Sequence, residues 1–221
     1  MMDWAAIRLS LQLAVCTTAI LFALGLPLAY WLAASRWRLK FLVEAVVALP
    51  LVLPATVLGF YLLMALGPSS PIGRAYENLV GGRLPFSFAG LLIASVLYSL
   101  PFAVRPFAVA FAGVDRRLVE ASWCLGVSRL ETFFRVVVPL SWTGILTGII
   151  LTFAHTMGEF GVVLMVGGNI PGVTRTVSIS IYDDVQALNY EAAGHTAAFL
   201  LGISFAALAL TYALQRRVWV L

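Results

Sequence analysis

Residues 9–35 read LSLQLAVCTTAILFALGLPLAYWLAAS and contain no charged side chain. An α-helix rises 1.5 Å per residue, so roughly 20 such residues cross a hydrocarbon core of ~30 Å. Four further uncharged stretches follow, at residues 45–73, 84–104, 136–158 and 192–215. Charges are costly to bury in lipid, and here they are confined to the segments between the stretches. The sequence therefore predicts an all-α integral membrane protein with five transmembrane helices, as one domain over residues 1–221.

The composition excludes a soluble globular domain. Hydrophobic residues make up 62% of the chain and charged residues 11%, whereas soluble domains carry about 25% charge. No basic segment precedes the first apolar stretch, so we interpret it as a retained helix and not as a signal peptide. Cys16 lies within that helix and Cys124 in a connecting loop, and neither has metal-ligating neighbours. We therefore expect no disulfide and no metal site.

The basic residues are distributed unevenly between the two sides of the predicted bundle. Ten belong to one side, namely Arg36, Arg38, Lys40, Arg105, Arg116, Arg117, Arg129, Arg135, Arg216 and Arg217. Four belong to the other, namely Arg8, Arg74, Arg83 and Arg175. Because basic loops stay in the cytoplasm, we expect the N-terminus outside and the C-terminus in the cytoplasm. The net charge of +4 is then a signal of topology and not of nucleic-acid binding.

Two short segments combine basic and aromatic residues in the manner of interfacial anchors. Arg36-Trp37-Arg38 follows the first apolar stretch, and Arg216-Arg217-Val218-Trp219 lies at the end of the sequence. Aromatic rings favour the headgroup level of a bilayer, and basic side chains bind the phosphates there. Both segments are expected to contact membrane lipid.

The loop of residues 115–139 contains start and stop signals for two short helices. Asp115 is suited to cap a helix over residues 116–125, with Leu118, Ser122 and Leu125 on one side. Gly126 then suits the left-handed residue that ends a helix. Residues 128–131, Ser-Arg-Leu-Glu, form a capping box for a second helix that runs to Pro139. Physical arguments alone leave two interpretations open, a pair of helices on the membrane surface and a docking loop.

The spacing of residues in this loop resembles the signature of binding-protein-dependent ABC importer permeases, E-A-A-x3-G-x9-I-x-L-P. The matching positions are Glu120, Ala121, Ser122, Gly126, Val136, Val138 and Pro139. Ser122, Val136 and Val138 depart from the signature but keep size and polarity close. The resemblance implies that residues 115–139 are a cytoplasmic coupling loop that binds a separate ATPase subunit and passes its motion to the membrane helices.

Three further stretches resemble the molybdate permease subunits of this family, at residues 49–54, 157–161 and 168–172, the last followed by Thr174-Arg175-Thr176. Sulfate and tungstate permeases share parts of them. The resemblance implies a type I importer fold in the bacterial plasma membrane. It also implies a homodimer with two ABC ATPase subunits and an external molybdate-binding protein. Substrate would move inward by alternating access, with ATP and Mg bound by the ATPase partner.

Two of these stretches supply candidate residues for the pathway or its gate. They are Pro50, Pro54, Gly158, Glu159, Phe160 and Gly161. Residues 171–190 would by the same resemblance form the outer gate region. The prolines have a structural alternative, a kink in a helix, and residues 168–172 have another, a turn outside the membrane. We place Glu159 close to the outer interface, one turn from His155 on a shared face, and favour a helix contact or a gate latch.

No residue pattern indicates catalysis by this chain. A phosphate-binding P-loop needs glycines before a lysine, and the one lysine, Lys40, has none near it. His155 and His195 lie outside any cluster of nucleophiles or metal ligands, so an embedded enzyme is not expected. The main rival is a self-sufficient secondary transporter or channel, but no convincing inverted repeat supports it. We expect no cofactor on this chain.

Overall fold

The structure, a computed structural model, describes residues 2–216, and every regular element there is helical. In chain order the helices are α1 (Trp4–Ala34), α2 (Lys40–Ala48), α3 (Ala55–Leu66), α4 (Pro71–Val80), α5 (Phe88–Ala112), α6 (Arg116–Cys124), α7 (Arg129–Thr132), α8 (Val138–Leu140), α9 (Trp142–Met157), α10 (Gly161–Gly167), α11 (Val177–Gln186) and α12 (Tyr190–Arg216). A 3₁₀ turn (Leu49–Leu51) follows α2, and a π-helical turn (Phe133–Val137) joins α7 to α8.

Three of these helices, α1, α5 and α12, are long and apolar enough to cross a membrane individually. The other two predicted spans are bent. The chain turns by 109° between residues 40–51 and α3, and by 76° between residues 129–140 and α9. The described part of the chain thus has five spans if each bent pair counts as one. The predicted all-α membrane architecture is confirmed, but two of the spans are not single helices.

A proline lies close to each of the two bends. Pro54 caps α3 with an extended backbone, and Pro139 lies two residues before the bend at Ser141. A proline has no N–H to donate, and its ring clashes with the carbonyl four residues earlier. The chain ahead of Pro139 widens into the π-helical turn, in which the Val138 N–H donates to the Phe133 carbonyl.

The core lies where α1, α5 and α9 pack together, around Leu21, Phe107 and Ile145. Gly144 and Gly148 permit close approach of α5 and α9. A Cβ built at Gly148 would lie 2.4 Å from the Phe107 ring, so a larger residue there needs a shift of the helices. This G-x-x-x-G spacing is a familiar device of membrane helix pairs.

The first helix is fastened to the last third of the chain at one end of the bundle. The Val177 N–H donates to Ser10 Oγ at 2.8 Å. Arg175 lies 3.3 Å from Asp183 and 4.0 Å from Asp3. We name this the Arg175 end, and the opposite end, which carries residues 115–139, the loop end.

The loop end collects the basic residues of the larger group. Arg36 and Arg116 line one cavity there, and Lys40 and Arg105 line another. The predicted anchor 36–38 lies at this end, where the Trp37 ring is 6.0 Å from that of Trp31. The predicted anchor at residues 217–219 lies outside the described residues.

Candidate functional site

The first helix of the loop forms as its capping signals predict. Asp115 Oδ1 accepts a hydrogen bond from the Arg117 N–H at 2.9 Å. Gly126 has φ +80°, and no atom outside its chain neighbours lies within 4 Å of the position of its missing Cβ. The backbone conformation, and not a lack of space, therefore requires glycine here. Cys124 lies at the end of α6 within this connecting loop, as predicted, and its side chain is exposed.

The second helix keeps half of its predicted capping box. Ser128 Oγ accepts from the Glu131 N–H at 3.2 Å, while the Glu131 carboxylate pairs with Arg135 at 3.1 Å. A π-helical turn interrupts this helix before Pro139. The loop is thus two helical arms that meet at the turn around Gly126.

A buried hydrogen bond joins the two arms. Ser122 Oγ lies 2.9 Å from Thr132 Oγ1, and both side chains are buried. Ser122 therefore contacts the loop itself and does not face outward. The prediction that Leu118 and Leu125 share its environment is wrong, because both are exposed. Val119 takes the inward position one helical turn before Ser122 and packs on the main core.

The loop presents a mixed outer surface. Leu125 is 83% exposed, Leu130 70% and Phe134 60%, and Glu120 and Ala121 are exposed beside them. Arg129 lies over the Trp123 ring at 5.5 Å. We name these exposed apolar side chains, with Glu120 and Ala121, the loop face. Exposed apolar side chains of this kind are typical of an interaction site when they cluster.

The last part of the signature lies against the helical bundle instead of facing outward. Val138 packs on the main core, and Phe133 contacts the rings of Tyr30 and Phe111 at centroid distances of 4.8 Å and 5.8 Å. Val136 is half-buried. The signature therefore has an exposed half, around Glu120 and Ala121, and a half that fixes the loop to the bundle.

The predicted pathway residues come together at a second place, between α3 and α10. A Cβ built at Gly161 would lie 2.6 Å from the Ala55 Cβ, directly after Pro54. One turn further along, a Cβ at Gly59 would lie 2.6 Å from the Met165 Cβ. The two helices thus start side by side at residues 55 and 161 and run in the same direction. Pro50 is buried in the 3₁₀ turn that precedes this contact.

The chain between α9 and α10 breaks at Gly158 and Glu159. We name residues 158–160 the break. Glu159 is 4% exposed, and its Oε2 accepts from Ser95 Oγ at 2.8 Å. Its Oε1 has no hydrogen-bond partner in the described part of the chain. The expected solvation of Glu159 is therefore wrong, because the helix stops at Met157 and the carboxylate lies against Ser95 of α5.

His155 extends this polar contact between α9 and α5. Ser99 Oγ lies 2.9 Å from His155 Nδ1 and 3.0 Å from Thr156 Oγ1. The His155 ring stacks on Phe102 at a centroid distance of 3.9 Å. Sequence reasoning did not find Ser95 or Ser99, since isolated serines in an apolar stretch carry no signal of their partners.

The region predicted to be the outer gate lies at the Arg175 end. Asn169 Nδ2 donates to the Asp183 carboxylate at 2.7 and 2.9 Å, and Arg175 Nε donates to Asn169 Oδ1 at 2.7 Å. Gly168 and Gly172 both have positive φ, so residues 168–172 are the turn that one interpretation predicted. Phe160 contacts Tyr182 of α11 at a ring distance of 5.2 Å, which connects the break to this end.

Several known proteins are similar to this chain in sequence. The family model described as the binding-protein-dependent transport system inner membrane component matches residues 25–220. The molybdenum transport system permease protein ModB of Azotobacter vinelandii is 53% identical over 214 residues, which cover 97% of this chain and 95% of that protein. The protein of the same name from Escherichia coli (strain K12) is 38% identical over 186 residues, which cover 83% and 80%.

A solved structure agrees with the fold. The chain is similar to one from a bacterial ABC transporter involved in the import of the acidic polysaccharide alginate, with a TM-score of 0.76, covering 97% of this chain and 79% of that one. At 17% identity this likeness supports the fold alone. The predicted ABC importer permease fold is confirmed, and the apolar helices are those of a multi-pass membrane protein. This chain belongs to the family of inner membrane components of binding-protein-dependent transport systems.

Proposed function

We propose that this chain, as one permease domain, forms half of the pathway of an ATP-driven importer for an oxyanion, with molybdate as the substrate. A second copy of the chain would complete the pathway, and two separate ABC ATPase subunits would bind ATP and Mg. An external binding protein would deliver the oxyanion. The relatives named for molybdenum transport support the substrate, and tungstate is expected to be accepted because it has the same shape and charge.

The observation that carries the proposal is the loop face. Asp115 and Ser128 cap its two helices from within the loop. Its apolar side chains are left in the open, Leu125 at 83%. Exposed apolar anchors beside one carboxylate, Glu120, have the composition of a protein-docking surface. The loop face would contact the ATPase subunit.

The loop's attachment supplies a route for motion. The Ser122–Thr132 bond holds the two arms together, so a push on the loop face moves both. Phe133 and Val138 pass that movement to the core and to α9. At the far end of α9 the chain breaks beside the α3–α10 contact, where Pro54, Glu159 and Gly161 would form part of the gate. Alternating access would separate or join the elements at this contact.

A direct test replaces residues of the loop face that make no internal contact. Leu125→Asp and Glu120→Lys should leave insertion and thermal unfolding unchanged but release the ATPase subunit on gentle purification. Val80→Asp serves as a control because Val80 is an exposed apolar residue of α4 outside the proposed site. Normal retention of the ATPase by both loop variants would refute docking at the loop face.

The orientation is part of the proposal, with the N-terminus outside and the loop end in the cytoplasm. The structure gathers Asp3 and Arg175 at one end and Arg36, Lys40 and Arg116 at the other, as the charge bias requires. In a variant without Cys16 and Cys124, single cysteines at positions 3 and 129 report the two ends. An impermeant thiol reagent added outside should label position 3 alone, and labelling of position 129 would reverse the orientation.

The substrate test uses proteoliposomes that contain the permease, the ATPase and the binding protein. Molybdate and tungstate should enter when ATP is present, and sulfate should enter poorly. Uptake without ATP would favour the rival, a self-sufficient secondary transporter or channel. Uptake of sulfate alone would keep the importer and change the substrate.

A further inference from the structure

Arg105 is a charged residue inside one of the spanning helices. Arg105 lies just beyond the third apolar stretch, and α5 continues for seven residues after it, to Ala112. At 1.5 Å per residue, Arg105 lies about 10 Å before the end of the helix. Basic side chains on spanning helices commonly face water or the membrane interface. The Arg105 side chain is exposed on the surface of this single chain.

Arg105 stands between two adjoining cavities at the loop end. One, of about 320 Å³, lies between α1, α2 and α5 and includes Lys40 and Glu44 in its lining. The other, of about 630 Å³, lies between α5, α9 and α12. Arg105 and Val109 line both cavities. The Arg105 side chain is therefore part of the lining that the two cavities share.

The surroundings of Arg105 leave its charge free for an anion. Within the described residues no carboxylate lies within 4.0 Å of its guanidinium, whereas Lys40 is paired with Glu44 at 3.8 Å. The larger cavity adds the hydroxyls of Thr143 and Thr147 and the amide of Gln215. The Thr147 hydroxyl donates to the Thr143 carbonyl, so its oxygen is an acceptor and not a free donor. Arg105 is thus the strongest anion-binding group of this cavity.

Several polar and aromatic side chains lie one after another along α5. Ser95 holds the Glu159 carboxylate near the gate, and Tyr98 and Phe102 flank His155 one and two turns on. Arg105 follows within one further turn, about 15 Å from Ser95 along the helix at 1.5 Å per residue. The guanidinium of Arg105 lies at the loop end of this series, where its positive charge attracts an anion.

We propose that Arg105 contacts the oxyanion dianion as it leaves the pathway at the loop end. The inference rests on the proposed function, since it requires an oxyanion as substrate. A planar guanidinium donates two parallel hydrogen bonds to a tetrahedral oxyanion, and a single contact of this kind binds weakly enough to release it. Arg105 would raise the local concentration of substrate at the exit without forming a tight site.

The experiment measures molybdate uptake by the complete complex in proteoliposomes with saturating binding protein. Arg105→Gln should lower the maximal rate about tenfold, the lower part of the range for electrostatic focusing. Arg105→Lys should keep most of the rate. The concentration of liganded binding protein at half-maximal uptake should not change, because capture occurs at the other end. Arg38→Gln removes an exposed charge from the same end and should transport like the wild type.

A charge-rescue arm separates electrostatics from folding. In a variant with Cys16 and Cys124 replaced by serine, Arg105→Cys should lose transport and regain it with a thiol reagent that carries a quaternary ammonium group. A reagent that carries a sulfonate should not restore it. Equal rescue by both reagents, or normal transport by Arg105→Gln, would overturn the proposal.

A lipid phosphate is the competing source of an anion for Arg105. The variants are therefore compared in phosphatidylcholine vesicles with and without phosphatidylglycerol. A defect of equal size in both supports a substrate contact, and a defect confined to the anionic vesicles assigns Arg105 to lipid and refutes the proposal. If the wild-type complex imports no molybdate, the proposed function fails; if it does and Arg105→Gln matches Arg38→Gln, the inference alone fails.

Discussion

The loop of residues 115–139 leaves apolar side chains exposed, whereas the break between α9 and α10 buries polar ones. Leu125 and Leu130 are exposed on the loop while its helix ends are capped from within. At the break, Glu159 is buried against Ser95. The exposed apolar surface of the loop therefore suits a partner from another chain. The carboxylate at the break, in contrast, has its partner, Ser95, within the same chain. Substitutions in the two regions should fail in different ways.

The largest expected effect is at the helix contact beside the break. Gly161→Val places atoms where the Ala55 Cβ already lies, which should cost about 3 kcal/mol of stability, since overpacking costs 1–3 kcal/mol and occasionally more. Gly158→Val is the matched control, because a Cβ there meets its nearest atoms at 3.8 Å. Thermal unfolding of the purified permease measures both. Equal losses would mean that the α3–α10 contact is not tight.

The next effect tests the buried carboxylate. Ser95→Ala removes the hydrogen bond that Glu159 receives, and a buried polar group without a partner costs about 2 kcal/mol. The double variant, Ser95→Ala with Glu159→Leu, removes both partners and should recover most of that loss. Unfolding midpoints of the wild type, Ser95→Ala, Glu159→Leu and the double variant together give the coupling. A double variant that is less stable than Ser95→Ala would contradict the pairing.

A smaller loss of stability with a complete loss of coupling is expected in the loop. Gly126→Val forces a β-branched residue to φ +80°, at a strain of about 1.5 kcal/mol. Gly81→Val imposes the same strain at φ +76° after α4, with equally open surroundings. The two variants should unfold alike, but only Gly126→Val should lose substrate-stimulated ATP hydrolysis. Normal coupling in Gly126→Val would remove the functional difference between the two turns.

The smallest effect concerns the bond between the arms of the loop. Ser122→Ala removes the hydroxyl that meets Thr132 and should cost about 1 kcal/mol. It also brings the sequence to the alanine of the family signature, so transport should survive. Hydrogen exchange of the amides in α6 should become faster while that of α5 stays unchanged. Unchanged exchange in α6 would show that the bond does not hold the arms.

These two regions also differ in how far the sequence could predict them. The helix of residues 116–124 depends on local signals, an aspartate before it and a glycine after it, and both act as predicted. Glu159 was expected at a solvated position because it was counted along an unbroken helix, whereas its side chain is buried. Its true position depends on the end of α9 and on Ser95, 64 residues earlier in the chain. No local pattern contains that information.

Local patterns also do not predict which side of a short helix is buried or where a long helix ends. Leu118 and Leu125 were grouped with Ser122 by helical spacing, but Thr132 and the core decide which side of α6 is buried. The charge of Arg105 ends an apolar stretch but not the helix, since α5 continues beyond it. Apolar patterns locate the spans of this chain, and tertiary contacts set where each helix ends.

The hydrogen bond between Ser10 and Val177 bears on how the chain is synthesised. Its two residues are 167 positions apart. At 5 to 20 residues per second, a ribosome needs roughly 8 to 33 s to reach the second residue after the first. During that interval α1 is already made, but the amide that Ser10 accepts from does not yet exist. The first helix is therefore inserted in the bilayer before its contact at Ser10 can form. A chain truncated before α11 should leave that end of α1 accessible to the proteases that remove unfinished membrane proteins.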